Sequence, residues 1–259
     1  MRLLLALLTL VAAFQARAEI YSEMVTYKDG DTLLKGYLYR NDAVQGKRPG
    51  ILVIHEWWGL NDYARMRARM LAELGYVAFA ADMYGDNKVT EHAADAQGWM
   101  KQITANVEGW QGRALRGLQV LKTDERVDPE KLAAIGYCFG GATVMQLAYA
   151  GADLDAVVSF HGSLPPATPE QQQKIKARVL AAHGDADAFM PPERLGAFKA
   201  ALEAAGVDWE LDIYGGARHG FTNPDAAKYG LENVVYNEKA DHRSWARMKA
   251  FLEESFAGQ

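Results

Sequence analysis

Short, nearly unbroken apolar runs recur along the chain from residue 50 onward, each followed by a longer stretch with apolar positions at helical spacing. The runs are Gly50–His55, Tyr76–Asp82, Leu132–Tyr137, Ala156–Phe160, Arg178–His183 and Trp209–Tyr214. Ile51-Leu52-Val53-Ile54 and Val77-Ala78-Phe79-Ala80-Ala81 show little alternation, as expected of strands buried on both faces of a parallel sheet. Helical patterns cover Tyr63–Leu74, Thr90–Leu121, Ala142–Ala150, Pro192–Ala205 and Glu238–Phe256, the second expected to break into two helices near Gly109. Asn61 or Asp62 is placed to cap the first helix and Gly75 to end it. Ahead of these, Glu23–Lys28 and Leu33–Arg40 flank Asp29-Gly30-Asp31, a hairpin signal. A hairpin followed by repeated strand–helix pairs predicts an α/β fold: a mostly parallel central sheet, helices on both faces and an antiparallel hairpin at one edge. No repeat or linker divides the chain; the Pro- and Gln-rich Ser163–Gln173 is too short to do so, and residues 19–259 read as one domain.

Residues 1–18 follow a different pattern. Met1-Arg2, a twelve-residue apolar run Leu3–Phe14 and an Ala16-Arg17-Ala18 ending form the three-part layout of a secretory signal peptide. The run falls short of the ~20 residues a spanning helix needs. Cleavage after Ala18 predicts an exported protein, periplasmic or secreted, with no membrane segment in the mature form. Removing Arg2 and Arg17 leaves 26 basic and 33 acidic residues, so the net charge of −5 becomes −7. That balance argues against nucleic acid as a partner. With 49% hydrophobic and 24% charged residues the composition is that of a globular protein.

One cysteine, Cys138, excludes an intramolecular disulfide and a thiolate zinc cage. Its neighbours give it a different meaning. Gly136-Tyr137-Cys138-Phe139-Gly140 follows a strand, and a helical pattern begins at Gly141, the nucleophile-elbow arrangement G-x-S-x-G with cysteine in place of serine. A helix N-terminus favours a thiolate, and the Phe139 amide is placed to meet an oxyanion. The alternative is a Gly-rich packing turn around a buried thiol.

A thiol nucleophile needs a base, and the base an orienting carboxylate. After the strand Arg178–His183, Asp185 and Asp187 compete for the acid role, and Gly184-x-x-Asp187 favours Asp187. After Trp209–Tyr214, His219 lies on a glycine-flanked loop. The order Cys138, Asp187, His219 is that of α/β-hydrolases. Glu56, between an apolar strand and Trp57-Trp58, is costly to ionise without a partner, which suits a group that takes the Cys138 proton; the Trp57 amide is the natural second oxyanion donor. His55, His161 and His183 lie near strand ends but have no place in that order and read as packing or support, while His92 and His242 fall in helical patterns and read as solvated.

Together, Gly136-Tyr137-Cys138-Phe139-Gly140-Gly141, His55-Glu56-Trp57-Trp58-Gly59, Asp82-Met83-Tyr84-Gly85, Gly184-x-x-Asp187 and His219-Gly220-Phe221 resemble the dienelactone hydrolase family over essentially the whole mature chain. The resemblance implies an α/β-hydrolase fold and hydrolysis of a small ester or lactone through an acyl-cysteine, without metal or cofactor. It assigns Cys138 as nucleophile, His219 as base, Asp187 as its orienter, Glu56 as acceptor of the thiol proton, and the Trp57 and Phe139 amides as the oxyanion hole. Trp58, Tyr84 and Phe221, with Trp57, are expected as apolar walls, and the mature protein as a monomer. Family members acting on dienelactone carry two arginines that grip its carboxylate; this chain has Gly85-Asp86 and Thr222-Asn223 there, leaving Arg218 as a replacement and dienelactone as a poor substrate. Rival readings are an acyltransferase or thioesterase with the same machinery, a secreted ligand-binding protein, and a redox sensor built on the lone thiol.

Overall fold

The computed structural model describes residues 19–258. The predicted signal peptide therefore lies outside the described residues. Eight strands join in one sheet: β1 (Ile20–Asp29), β2 (Thr32–Asn41), β3 (Arg48–Ile54), β4 (Val77–Ala81), β5 (Val127–Tyr137), β6 (Ala156–Phe160), β7 (Arg178–Gly184) and β8 (Trp209–Tyr214). Their spatial order is β1-β2-β4-β3-β5-β6-β7-β8. The hairpin β1–β2 is antiparallel and meets β4 antiparallel, while β3 to β8 run parallel. The carboxyl ends of six strands therefore open onto one rim, where a parallel sheet gathers its functional loops.

The helices are α1 (Asp62–Glu73), α2 (Ala93–Thr104), α3 (Val107–Lys122), α4 (Phe139–Tyr149), α5 (Pro169–Gln172), α6 (Pro192–Ala205) and α7 (Glu238–Phe256). Side chains alternate across the sheet and feed two cores. Leu52 and Ile54 of β3 pack with Phe79, Leu118, Val144 and Phe198 on the α3, α4 and α6 side. Ile51 and Val53 face the other way, onto Ala64, Ala68, Phe251 and Leu252 of α1 and α7. A strand buried on both faces has no polar positions left to alternate, which explains the unbroken runs.

Several elements differ from the sequence expectation, among them β1 and β5, which begin earlier, at Ile20 and Val127. The Thr90–Leu121 pattern breaks at Ala105 and Asn106 instead of Gly109: the Asn106 carbonyl side chain accepts the Gly109 N–H at 3.1 Å and caps α3, so Gly109 lies inside the helix. The helix after Cys138 begins at Phe139, not at Gly141. The Ser163–Gln173 segment contains the short α5, closed by a Thr168–Gln171 capping box. Asn61 is the cap of α1, and Gly75 follows that helix at φ +97°, where a side chain is disfavoured.

Candidate active site

At the end of β5 the chain turns from strand to helix within one residue. Cys138 takes φ +54° and ψ −112°, a strained backbone for a residue with a side chain. Two close backbone approaches force it. A Cβ at Gly136 would stand 2.0 Å from the Gly140 carbonyl oxygen, and one at Gly140 2.2 Å from that of Ile54, so only glycine fits either place. The Cys138 N–H donates to the Phe160 carbonyl on neighbouring β6 at 3.0 Å, holding the turn on the sheet. The half-buried thiol is thereby set at the N-terminus of α4, the positive end of its dipole.

His219 stands on the loop after β8, and its Nδ1 hydrogen-bonds Asp187 Oδ2 at 2.8 Å. Asp187 follows β7; its second oxygen accepts the Phe189 N–H at 2.9 Å. Burial would raise this carboxyl, but His219 and the Phe189 N–H hold it below the usual range. Away from Asp187, His219 shares the lining of one cavity with Cys138. Burial opposes a charged imidazole here, yet the Cys138 sulfur and the Asp187 carboxylate outweigh it and lift His219 to about 10. Asp185 stays apart, its N–H on the Tyr214 carbonyl.

Glu56, just past β3, is almost wholly buried, and burial pushes its carboxyl up to about 7 against the opposing Asn223 amide and His219. Asn223 Nδ2 donates to Glu56 Oε2 at 2.7 Å. Glu56, Cys138 and His219 line one cavity of about 500 Å³. The Trp57 and Phe139 amides donate to no protein acceptor among the described residues and are free for an incoming oxygen. The cavity is lined by the aromatic and aliphatic side chains of Trp57, Trp58, Met100, Trp110 and Phe139, together with Ser163, Pro165, Phe189 and Arg194.

Two expected wall residues lie elsewhere. Tyr84 stands behind the cavity and donates its hydroxyl to the Trp57 carbonyl at 3.0 Å. Phe221 is fully buried against His161 and Tyr214. Arg218 points away, donating to the Glu232 carbonyl, and Asp86 pairs with Lys35. The cation on the cavity wall is Arg194, in the first turn of α6, where it opposes the helix dipole and makes no ion pair among the described residues. Its helix gave no reason to suspect it. Gln97, Met100 and Thr104 also face the cavity, at the i, i+3, i+7 spacing of one face of α2, a signal the sequence did carry.

Behind His219 lies a buried polar cluster. His161, at φ +41°, packs edge-on to His219 with ring centres 5.2 Å apart. Its Nε2 lies 2.7 Å from Thr222 Oγ1, which also meets the Tyr63 hydroxyl at 2.6 Å. Burial, then the nearby His219 and Arg67 charges, hold His161 neutral. Arg67 bridges Asp241 of α7 at 2.6 Å and the Thr222 carbonyl, fastening the His219 loop to two helices. Among the described residues no group of three or more His, Cys, Asp or Glu is arranged to hold a metal, and no helix is long and apolar enough to cross a membrane.

A strand-to-helix elbow, with a histidine and an acid on successive loops at the same rim of a largely parallel sheet, defines an α/β-hydrolase. Residues 34–256 match the dienelactone hydrolase family, and the chain belongs to it: an enzyme that hydrolyses ester or lactone bonds. A solved dienelactone hydrolase-like promiscuous phosphotriesterase from metagenomic libraries is 38% identical, with TM-score 0.89 over 92% of this chain and 99% of that one. A Saccharolobus solfataricus relative named "Putative carboxymethylenebutenolidase" is 30% identical across 78% of this chain and 88% of its own. Protein usf of Aquifex pyrophilus is 27% identical over 90% and 98%.

Proposed function

We propose that the protein hydrolyses a small ester or lactone through an acyl-cysteine intermediate at Cys138. The observation that carries this reading is the meeting of Cys138, His219 and Asp187 at the mouth of an apolar cavity. The Cys138 thiol gives its proton to Glu56 as the sulfur attacks the carbonyl carbon, forming a C–S bond while the carbonyl π pair moves to oxygen. The Trp57 and Phe139 amides receive that oxyanion, a contribution of roughly 3 kcal/mol per donor. Collapse breaks the bond to the leaving oxygen, which takes a proton from His219. The now neutral His219 takes a proton from water, whose oxygen attacks the thioester; the departing thiolate takes back the proton held on Glu56, and both groups end as they began. Asp187 fixes the imidazole orientation throughout.

Glu56 serves as a proton acceptor for the thiol when Cys138 turns toward it, since both line the cavity and burial keeps the carboxyl basic. The walls suit a substrate with an apolar body. Cys138→Ala is expected to abolish turnover of a short p-nitrophenyl ester, while Cys138→Ser keeps a fraction because His219 can activate a hydroxyl. Full activity in the alanine variant contradicts the reading.

A second reading, phosphotriester hydrolysis at the same thiol, is favoured by the likeness to the phosphotriesterase. It predicts that Cys138→Ala removes triester and ester turnover together. We also propose export of the chain from residue 19 onward, as a monomer. Sequencing the N-terminus of secreted protein and measuring its mass in solution test the two points.

A further inference from the structure

Two peptide groups flank Trp57, and each is anchored on its carbonyl side. His55, at the end of β3, is fully buried with both ring nitrogens engaged. The Met83 N–H donates to His55 Nε2 at 3.2 Å. A backbone N–H cannot accept, so the ring proton resides on Nδ1, which donates to the Glu56 carbonyl oxygen. That oxygen also accepts the Gly59 N–H at 3.3 Å. The next carbonyl, that of Trp57, accepts the Tyr84 hydroxyl at 3.0 Å.

The partners on the far side are themselves fixed. The buried Asp82 carboxylate accepts four backbone N–H groups, those of Tyr84 and Gly85 at 2.9 Å, Asn87 at 2.8 Å and Lys35 at 3.1 Å. Asp82 thus holds Met83 and Tyr84 in place, and they hold His55 and the Trp57 peptide. Because a peptide is planar, fixing the direction of the Glu56 C=O fixes the opposite direction of the Trp57 N–H. Accepting a hydrogen bond at the carbonyl also polarises the amide and strengthens its N–H as a donor.

We propose that His55 is a positioning residue that aims and strengthens the Trp57 amide toward the developing oxyanion, with Asp82, Met83 and Tyr84 as its support. The proposal rests on the acyl-cysteine reading above. It gives His55 a function beyond packing, and explains why a polar ring is kept at the end of a wholly buried strand.

Two reactions of the same sulfur separate this role from a structural one. Ester acylation develops an oxyanion; alkylation of Cys138 by iodoacetamide displaces iodide and develops none. In His55→Leu, kcat for p-nitrophenyl acetate is expected to fall roughly ten- to hundredfold with KM little changed. The alkylation rate is expected to stay within about twofold of wild type, given an intact elbow and His219. His55→Asn, whose amide can donate from near the Nδ1 position, is expected to recover several-fold of the lost kcat. Unchanged ester turnover in His55→Leu, a parallel fall in alkylation, or no recovery in His55→Asn overturns the proposal. A wild-type protein that turns over no ester defeats the underlying reading instead, and the positioning role with it.

Discussion

Glu56 is the residue whose protonation matters most near neutral pH. Its folded value of about 7 lies above the ordinary 4.5. The folded chain therefore keeps a proton that the unfolded chain releases, and stability is lost as pH climbs from about 4.5 to about 7, by up to ~3 kcal/mol. Glu56→Gln keeps an acceptor for Asn223 and lacks this titration. Denaturant melts from pH 5 to 8 are expected to show the variant gaining on wild type as pH rises; parallel curves contradict the assignment. The acid limb of ester turnover near pH 7 is expected to vanish in the same variant if Glu56 takes the thiol proton. Arg194 belongs to this scale too. Arg194→Ala is expected to raise KM for an ester carrying a distal carboxylate about threefold to tenfold at low salt, with little difference at high salt because the guanidinium is exposed. A salt-independent KM would remove Arg194 from the substrate's path.

At the scale of elements, the elbow and the α1–α7 tie carry the geometry. Gly140→Ala drives a methyl into the Ile54 carbonyl and is expected to cost about 3 kcal/mol or more, read as a lowered denaturant midpoint. Arg67→Ala leaves Asp241 buried without its cation and is expected to cost about 3–5 kcal/mol. A small loss would mean that water replaces the guanidinium. The strands and the order Cys138, Asp187, His219 were legible because buried parallel strands and tight turns constrain local sequence. Aromatic composition marks burial without saying which side of a loop a ring faces, so the expectation that Tyr84 and Phe221 line the cavity does not hold. Asn223 and Arg194 were missed for a related reason. Asn223 owes its role to a contact with Glu56, 167 residues away, and Arg194 to its place on the cavity lining, and no local pattern encodes either.

Across the whole molecule, two cores clamp one sheet and leave its carboxyl rim to chemistry. Loops after β3, β4, β5, β7 and β8 each deliver one piece: the Glu56–Trp57 turn, its Asp82 support, the thiol, the acid and the imidazole. None of these loops is adjacent in sequence to all the others, so the site exists only when the sheet is complete. Intact-protein mass spectrometry after acid quenching of a slowly hydrolysed ester, followed by peptide mapping, tests the central claim most directly. The account predicts one added acyl mass on the peptide containing Cys138, absent in Cys138→Ala. An acyl group on any other residue, or steady ester turnover with no dependence on Cys138, would contradict it.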